Sequence, residues 1–226
     1  AGWNTADDGS GTDYAEGAAY AVDAGVTLYA QWTVNTYTVS FDRQGGTGGS
    51  ATVSATFGQP MPAATPPTNG DAVFDGYYTE ANGAGTRYYT AAMESARDWD
   101  ISADTVLFAS WLYSVGDTGP AGGVVFYDQG SYSDGWRYME AWTSDETGTN
   151  QWKTDNTETA GTSTDVGTGY ENTYNAMTGN EHPAAQVVRN AAHGGYTDWF
   201  LPSREELDEM RSQRASIGGF GSGNYW

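Results

Sequence analysis

One phrase of thirteen residues occurs twice in this chain, and this repeat constrains the fold more than any other feature of the sequence. GWNTADDGSGTDY at residues 2–14 returns as GYYTEANGAGTRY at residues 76–88, with its shared glycines, threonines and last tyrosine at a constant offset of 74. VTLYAQW at 26–32 pairs with TVLFASW at 105–111 at an offset of 79. Self-similarity of this kind is typical of one structural unit repeated along a chain.

The repeat divides the chain into three parts. The second copy is preceded by a half that the first copy lacks, so we expect the C-terminal half of a β repeat at residues 1–32 and a complete β repeat at residues 33–112. The pattern then stops, and residues 113–226 are expected to form a different domain. We therefore expect the chain to be a fragment of a longer array, in which the first unit lacks its opening strands.

Alternating apolar residues predict the strands of the complete repeat. YTVSFD would bury Tyr37, Val39 and Phe41 on one face, and ATVSATF would bury Val53, Ala55 and Phe57. The glycines of QGGTGGS between them predict a hairpin connection. The segment GQPMPAATPP is expected to be irregular, because proline cannot donate a hydrogen bond within a central strand.

The composition favours folded, aromatic-rich β structure and excludes several classes of partner. The 9 Trp, 16 Tyr and 7 Phe can supply the core, since each buried ring removes about 150–250 Å² from water. A net charge of −20 with only 9 basic residues argues against nucleic acid and anionic membranes as partners. The absence of cysteine excludes thiolate nucleophiles, disulfides and Cys-ligated zinc. No apolar run is long enough to insert into a membrane as a helix.

The repeated phrases resemble a known family. YTVSFDRQGGTGG, GYYTEANGAGTRYY and DTVLFASW are similar to the Listeria/Bacteroides-type repeat, the B repeat of internalin-like surface proteins, over one whole copy and the end of another. The resemblance implies small β-grasp-like modules strung in tandem on bacterial surface or envelope proteins. In such proteins the modules act as stalks or adhesive spacers.

Two helices are predicted beyond residue 113. HPAAQVVRNAA has a proline in its first turn, and its apolar face consists of Ala184, Val187, Val188 and Ala191. SREELDEM offers Ser203 as N-cap and Glu206 three residues later, which is a capping box, with Leu207 and Met210 as the buried pair. The polar loop 143–169 is long for a compact domain, which indicates functional surface or mobility.

The second half of the chain also resembles a family. GDTGPAGGVVFYDQGSYSDGWRYMEAW, GGYTDWFLPSREELDEM and GGFGSGNYW are similar to the DUF1566 type of domain, found at the C-terminus of collagen-like bacterial adhesins. The resemblance implies an α+β fold akin to C-type lectins and formylglycine-generating enzymes. In the family the last phrase continues into further strand residues, so we expect a C-type-lectin-like domain that is truncated at its C-terminus.

The residues that could carry catalysis have simpler interpretations. Formylglycine-generating enzymes use cysteine chemistry, which a chain without cysteine cannot perform. His182 and His193 are too far apart for a zinc helix, and Ser203 with Glu206 is explained by capping. The neighbouring acids Asp7–Asp8, Asp145–Glu146 and Glu205–Glu206 suggest a glycosidase pair, but in so acidic a chain they are more often solvated surface.

Two sets of residues remain as candidates for binding. Oxygen ligands for calcium are available in the polar loop at Asp145, Asp155, Glu158 and Asp165, although their spacing matches no known calcium loop. The rings of Trp199, Tyr225 and Trp226 could form a stacking platform for a ligand, with Asn224 as a further binding candidate beside them and core packing as the alternative for Trp199.

The opening phrase itself resembles a calcium loop, with Asp7, Asp8 and Asp13 around small residues. In the second copy these positions hold Ala81, Asn82 and Arg87, and an arginine would repel a cation. What the two copies share is glycine, which tolerates positive φ in turns. The phrase is therefore interpreted as a hairpin connection.

The sequence as a whole predicts a non-enzymatic bacterial cell-surface or envelope protein. Its repeats would act as a stalk, and its last domain would bind a ligand, either a host or cell-surface protein or a glycan, with no cofactor unless calcium takes part. Two alternatives stay open: a purely structural stalk with a capping domain that binds nothing, and an envelope glycosidase.

Overall fold

The computed structural model describes residues 2–21, 23–146, 148, 150–155 and 157–220, and it is mostly β. Ten strands are formed: β1 (Gly2–Asn4), β2 (Asp13–Ala15), β3 (Tyr29–Gln31), β4 (Thr36–Asp42), β5 (Thr52–Thr56), β6 (Val73–Tyr78), β7 (Arg87–Thr90), β8 (Thr105–Leu112), β9 (Val124–Ser133) and β10 (Trp136–Ala141). The helices are α1 (Gly169–Glu171), α2 (Pro183–Arg189), α3 (Arg204–Ser212) and α4 (Arg214–Ile217). A 3-10 turn spans Ala81–Gly83, and a π-helical turn spans Asn172–Ala176. Among the described residues, no helix has the length and apolar character needed to cross a membrane.

Residues 33–112, the complete repeat, form a five-stranded mixed sheet in the order β5-β4-β8-β6-β7. β4 and β8 run parallel at its centre, with Phe41 opposite Leu107, and all other neighbours are antiparallel. A parallel pair requires a long crossover, which the chain between β5 and β8 provides. The proline-rich stretch after β5 has no strand of its own, as predicted.

Aromatic side chains dominate the core of the complete repeat. Tyr77, Tyr89 and Trp99 are fully buried there, together with Val39 and Leu107. The predicted alternation is confirmed in β4, where Val39 and Phe41 are buried and Tyr37 is partly buried.

The prediction was wrong for Phe57, which is 43% exposed. β5 ends at Thr56, and Gly58 at a φ of 73° turns the chain, so the strand alternation stops before Phe57 is reached.

Residues 2–32, the half-repeat, form a smaller sheet in the order β2-β1-β3. This order corresponds to β7-β6-β8 of the complete repeat, and the register agrees: Trp3 faces Ala30 as Tyr77 faces Ala109. The half-repeat therefore has its own sheet, which reproduces three of the five strands of the sheet in the complete repeat.

The shared phrase is a strand connection in both copies. The Thr12 N–H donates to Thr5 Oγ1 at 2.9 Å, and the Thr86 N–H donates to Thr79 Oγ1 at 2.8 Å. A glycine with positive φ, 78° at residue 9 and 76° at residue 83, follows four residues after each accepting threonine.

In the first copy the buried Asn4 holds the centre of this connection. Its amide donates to Gly9 O and to Asp13 Oδ1, and its Oδ1 accepts from Ala6 N and Gly11 N. The Asp13 carboxylate thus has a partner within the connection. The resemblance to a calcium loop is explained by the hydrogen bonds of a turn.

The described part of residues 113–220, the C-terminal segment, forms one antiparallel hairpin and the helices α1–α4. β9 and β10 pair with two irregularities in register, and Val124, Phe126, Met139 and Ala141 pack against Ile217 of α4. Tyr113 joins this segment to the complete repeat, because its ring packs against the repeat core and lies 5.4 Å from the ring of Tyr138.

Both predicted helices exist, but their buried faces agree with the predictions only in part: Ala191, just after α2, is buried, and Met210 of α3 packs against the apolar cluster of the C-terminal segment. In α2 the fully buried residue is Ala185, while Ala184, Val187 and Val188 are only partly covered. The helix has just two turns, so the chain before and after it decides which side is covered. In α3 the buried residue is Glu206, and Leu207 and Met210 are partly exposed.

Candidate functional site

A broad cleft of about 1340 Å³ lies between the complete repeat and the C-terminal segment. The repeat contributes Asp42 at the end of β4, Gln44 just after it, and residues 69–71. The C-terminal segment contributes the hairpin of β9 and β10, the start of α1 and residues 198–200. The cleft is an aromatic-walled concavity of a size that accommodates a ligand.

Exposed tyrosines present their rings along this cleft. Tyr170 and Tyr196 are 42% and 44% exposed and both line it, as does the exposed Tyr132. Tyr170 stacks on Tyr174 at 4.5 Å between ring centroids and meets the edge of Phe200 at 6.2 Å. A ring supported in this way can offer its free face to a sugar or a side chain.

The acid-rich lining of the cleft has a single basic residue among the described ones, Arg137. Arg137 is already engaged, because its Nε and Nη2 donate to the two carboxylate oxygens of Asp128 at 2.9 and 3.1 Å. Its guanidinium also lies 4.9 Å from the centre of the Tyr138 ring. The Arg137 hydrogen bonds lower the pKa of Asp128, so the pair stays charged. The cleft has little to attract a sulfated or phosphorylated ligand.

Glu140 is a partly buried carboxylate that lines the cleft. Burial raises its pKa, and backbone hydrogen bonds from Ala121 and Gly123 act in the opposite direction. These N–H groups lie 3.0–3.2 Å from the Glu140 oxygens, and both belong to the glycine-rich turn before β9. The Glu140 carboxylate therefore accepts hydrogen bonds from two backbone N–H groups of GDTGPAGG, and these bonds stabilise that segment as a turn.

Glu206 fixes the loop that carries Tyr170 into the cleft. The N–H groups of Gly167 and Gly169 donate to Oε1 at 2.8 and 3.2 Å, and the Ser203 N–H donates to Oε2 at 2.7 Å. Ser203 Oγ in turn accepts from the Glu206 N–H, so the predicted capping box is confirmed. A side chain at position 169 would collide with Glu206, which explains the glycine before Tyr170.

Trp199, the ligand candidate from the sequence, does line the cleft. It is only partly exposed, and its Nε1 donates to His193 O at 3.3 Å. Trp142 stacks on the His193 ring at 4.5 Å, and Trp199 meets both rings edge-on. Trp199 therefore packs against Trp142 and His193 and also lines the cleft. The other three candidates, Asn224, Tyr225 and Trp226, lie outside the described residues.

The calcium candidates are not brought together. No group of three or more acidic or histidine side chains that could hold a metal ion occurs in the part of the chain that the structure describes. Asp155 forms an ion pair with Lys153 and accepts from Thr157, and these hydrogen bonds lower its pKa to about 2. The backbone oxygen of Asp165 accepts hydrogen bonds from the hydroxyls of Ser203 and Thr168. The side chains of Asp145 and Glu158 are exposed.

The two histidines have different environments. His182 is buried and lies 3.3 Å from Thr159 Oγ1. His193 forms a hydrogen bond with Glu146, and its ring packs against Trp142 and Trp199. They share no site among the described residues.

Sequence reasoning did not select Tyr170, Tyr196 or Glu140. The two tyrosines lie far apart in sequence and meet one cleft only through the fold. The available signals were weak: GYENTY has the spacing that stacks Tyr170 on Tyr174, and Glu140 lies between the apolar residues Met139 and Ala141 of β10.

Comparison with known proteins finds a family match for the N-terminal half of the chain. Residues 1–31 and 37–110 match the model of the Listeria-Bacteroides repeat domain. The two matched stretches correspond to the half-repeat and the complete repeat. The predicted resemblance is therefore confirmed for this part of the chain.

Two relatives from Evansella cellulosilytica are similar over part of the chain. One bears the name of a Gly-rich membrane protein and is 38% identical over 115 residues, 48% of this chain and 13% of the relative. The other bears the name of a membrane protein and is 33% identical over 89 residues, 38% of this chain and 12% of the relative. The chain thus spans about an eighth of the length of either relative.

Proposed function

We propose that this chain is part of a bacterial cell-surface or envelope protein whose repeats form a stalk and whose C-terminal segment binds a ligand in the aromatic cleft. The repeat match and the membrane-protein names of the relatives support the location. The observation that carries the binding role is the cleft, which is lined by the exposed side chains of Tyr170 and Tyr196.

The ligand is a surface protein or an uncharged glycan, and the module performs no catalysis. The cleft is acidic, and its arginine is committed to Asp128, which disfavours sulfated glycans. The carboxylates of Glu140 and Glu206 both accept hydrogen bonds from backbone N–H groups, which gives each a structural role. A protein partner is ranked above a glycan, because aromatic residues beside carboxylates suit basic and polar protein surfaces.

Two finer structural assignments belong to this proposal. The strand order β5-β4-β8-β6-β7, with a parallel central pair, supports a β-grasp-like repeat. The hairpin and short helices of residues 113–220 are compatible with a C-type-lectin-like domain, in which binding surfaces for varied ligands are common.

The proposed function is tested by binding of the whole chain to an array of glycans and matrix proteins, with and without calcium. Tyr170→Ala and Tyr196→Ala should each weaken the strongest signal by about fivefold or more, since aromatic contacts contribute about 1–3 kcal/mol. Tyr20→Ala is the control, because Tyr20 is also exposed but lies in the half-repeat.

Two results would support other functions. Absence of binding under all conditions would favour a structural stalk with a capping domain. Release of products from an oligosaccharide, abolished by Glu140→Gln, would favour the glycosidase.

A further inference from the structure

Three exposed tyrosines of the cleft each lie within two residues of an acidic side chain. The pairs are Tyr132 with Asp134, Tyr170 with Glu171, and Tyr196 with Asp198. All six residues are exposed and line the cleft. They come from three separate parts of the C-terminal segment: the hairpin of β9 and β10, the helix α1, and the chain between α2 and α3. The fold therefore brings the same combination of ring and carboxylate to one cleft three times.

Tight turns hold two of these pairs in place. Asp134 and Gly135 join β9 to β10 with φ of 52° and 89°, the combination of a two-residue hairpin turn, and the Tyr132 hydroxyl donates to Gly135 O at 2.8 Å. The two glycines between His193 and Tyr196 have φ of 60° and 86°, and these two residues exchange backbone hydrogen bonds of 2.9 and 3.1 Å. Because these turns are fixed before a ligand arrives, binding orders fewer groups and costs less entropy.

The third pair is held by contacts within and around α1. The Tyr170 ring stacks on Tyr174, and the Glu171 carboxylate accepts a hydrogen bond from the side-chain amide of Asn175. The contacts of Glu206 described above fix the backbone just before Tyr170. This pair is thus fixed as firmly as the other two.

The charges of the cleft favour a cationic ligand. Among the described residues, the side chains of Asp134 and Asp198 form no hydrogen bond and no ion pair, and neither does the exposed Asp71 on the repeat side of the cleft. Arg137, the one basic residue in the described lining, is paired with Asp128. Carboxylates without a cationic partner attract positive groups and repel negative ones.

The size of the cleft and its tyrosine–acid pairs favour a polypeptide over a small amine. The volume of about 1340 Å³ exceeds the range of about 300–1,000 Å³ that is usual for small-molecule sites. Lysine and arginine can lay their apolar stems along a ring while the charged end reaches a carboxylate, and the cation is also attracted to the ring face. A basic stretch of protein supplies several such side chains on one chain. An uncharged glycan would leave the carboxylates without a partner.

We propose that the ligand of the cleft is a lysine- or arginine-rich segment of a partner protein, bound by the three tyrosine–acid pairs and Asp71. This inference rests on the proposed function and adds the chemical class of the ligand. The tyrosine rings contact the stems of the basic side chains, and the carboxylates pair with their charged ends.

Isothermal titration calorimetry of the whole chain tests the proposal. The probe is a synthetic peptide in which lysine alternates with glycine, and its control has glutamine in place of every lysine. The lysine peptide should bind about tenfold more tightly than the glutamine peptide, since several ion pairs form at once. Raising the ionic strength from about 0.05 to about 0.5 M should remove most of this difference, because charges are then screened beyond about 4 Å.

Two variants with the same net charge separate recognition in the cleft from general attraction to an acidic chain. The cleft variant carries Asp71→Asn, Asp134→Asn and Asp198→Asn. The control variant carries Asp7→Asn, Asp23→Asn and Asp98→Asn, at exposed positions outside the cleft. The cleft variant should bind the lysine peptide about fivefold more weakly or worse, and the control variant should stay within about twofold of the parent chain. Asparagine before Gly135 is well suited to the hairpin turn, so the fold of the cleft variant is preserved.

Amide hydrogen exchange of the parent chain locates the bound peptide without any substitution. The lysine peptide should slow exchange at residues 132–136, 168–171 and 194–199. The proposal is overturned if the two variants lose affinity equally, if the glutamine peptide binds as tightly as the lysine peptide, or if none of these segments is protected. The proposed function fails by a different result, in which Tyr170→Ala leaves the binding of every glycan and matrix protein on the array unchanged.

Discussion

Two tyrosines in the core of the complete repeat offer a test of how its buried polar groups are satisfied. Tyr77 and Tyr89 are both fully buried, and burial raises the pKa of each to about 12. The Tyr89 hydroxyl donates to Pro62 O at 2.6 Å, whereas the Tyr77 hydroxyl has no hydrogen-bond partner among the described residues. The same substitution, tyrosine to phenylalanine, should therefore have opposite effects at the two positions.

Tyr77→Phe should raise the free energy of unfolding by about 1 kcal/mol, since an unsatisfied buried polar group costs about 1–3 kcal/mol. Tyr89→Phe should lower it by about 1–3 kcal/mol, because the Pro62 carbonyl loses its partner. The rings lie 6.3 Å apart in one aromatic cluster, so the packing lost with the hydroxyl is similar in both variants. The two free energies should therefore differ by about 2 kcal/mol or more.

Urea titration followed by far-ultraviolet circular dichroism measures both variants against the parent chain. Equal slopes with different midpoints would show that stability and not the unfolded state has changed. Equal destabilisation by both substitutions would refute the reasoning, because it would mean that the Tyr77 hydroxyl is as well satisfied as that of Tyr89.

Three further predictions follow from the same contacts. Glu206→Gln should lower the free energy of unfolding by about 1.5–3 kcal/mol, because an amide cannot accept all three N–H groups, while Glu205→Gln stays within about 0.5 kcal/mol in the same urea titration. Thr79→Val should cost about 1 kcal/mol by removing the acceptor for Thr86 N–H, as checked by thermal unfolding. Between pH 10 and about 12 the repeat should lose stability as pH rises, because its raised tyrosine pKa values, Tyr88 and Tyr89 among them, leave the unfolded state with fewer bound protons; a pH series of urea midpoints measures it.

The sequence was most informative where a local pattern determines the structure. The shared phrase predicted two equivalent connections, because its glycines and threonines act within a few residues of each other. The alternation around Val39 and Phe41 predicted β4, since a strand in a sheet with one buried face must follow a period of two. The Ser203–Glu206 spacing predicted a capping box for the same local reason.

Residues that act over long distances could not be predicted in this way. Glu206 was expected to act only at its own helix, yet it also binds Gly167 and Gly169, some 37–39 residues earlier. The parallel pairing of β4 with β8 joins positions 66 residues apart, Val39 and Thr105. Tyr170 and Tyr196 meet in the cleft because of such contacts.

Carboxylates hold several turns and loops of this protein together through hydrogen bonds and an ion pair. Glu140 satisfies the turn before β9, Glu206 joins α3 to the loop of Tyr170, and Asp155 organises its own loop with Lys153. In a chain with 29 acidic residues and no cysteine, a buried or hydrogen-bonded carboxylate is therefore poor evidence of catalysis. The proposed binding role rests instead on exposed tyrosines of the cleft such as Tyr170. A loss of binding in Tyr170→Ala without a loss of stability would separate a role in binding from a role in folding.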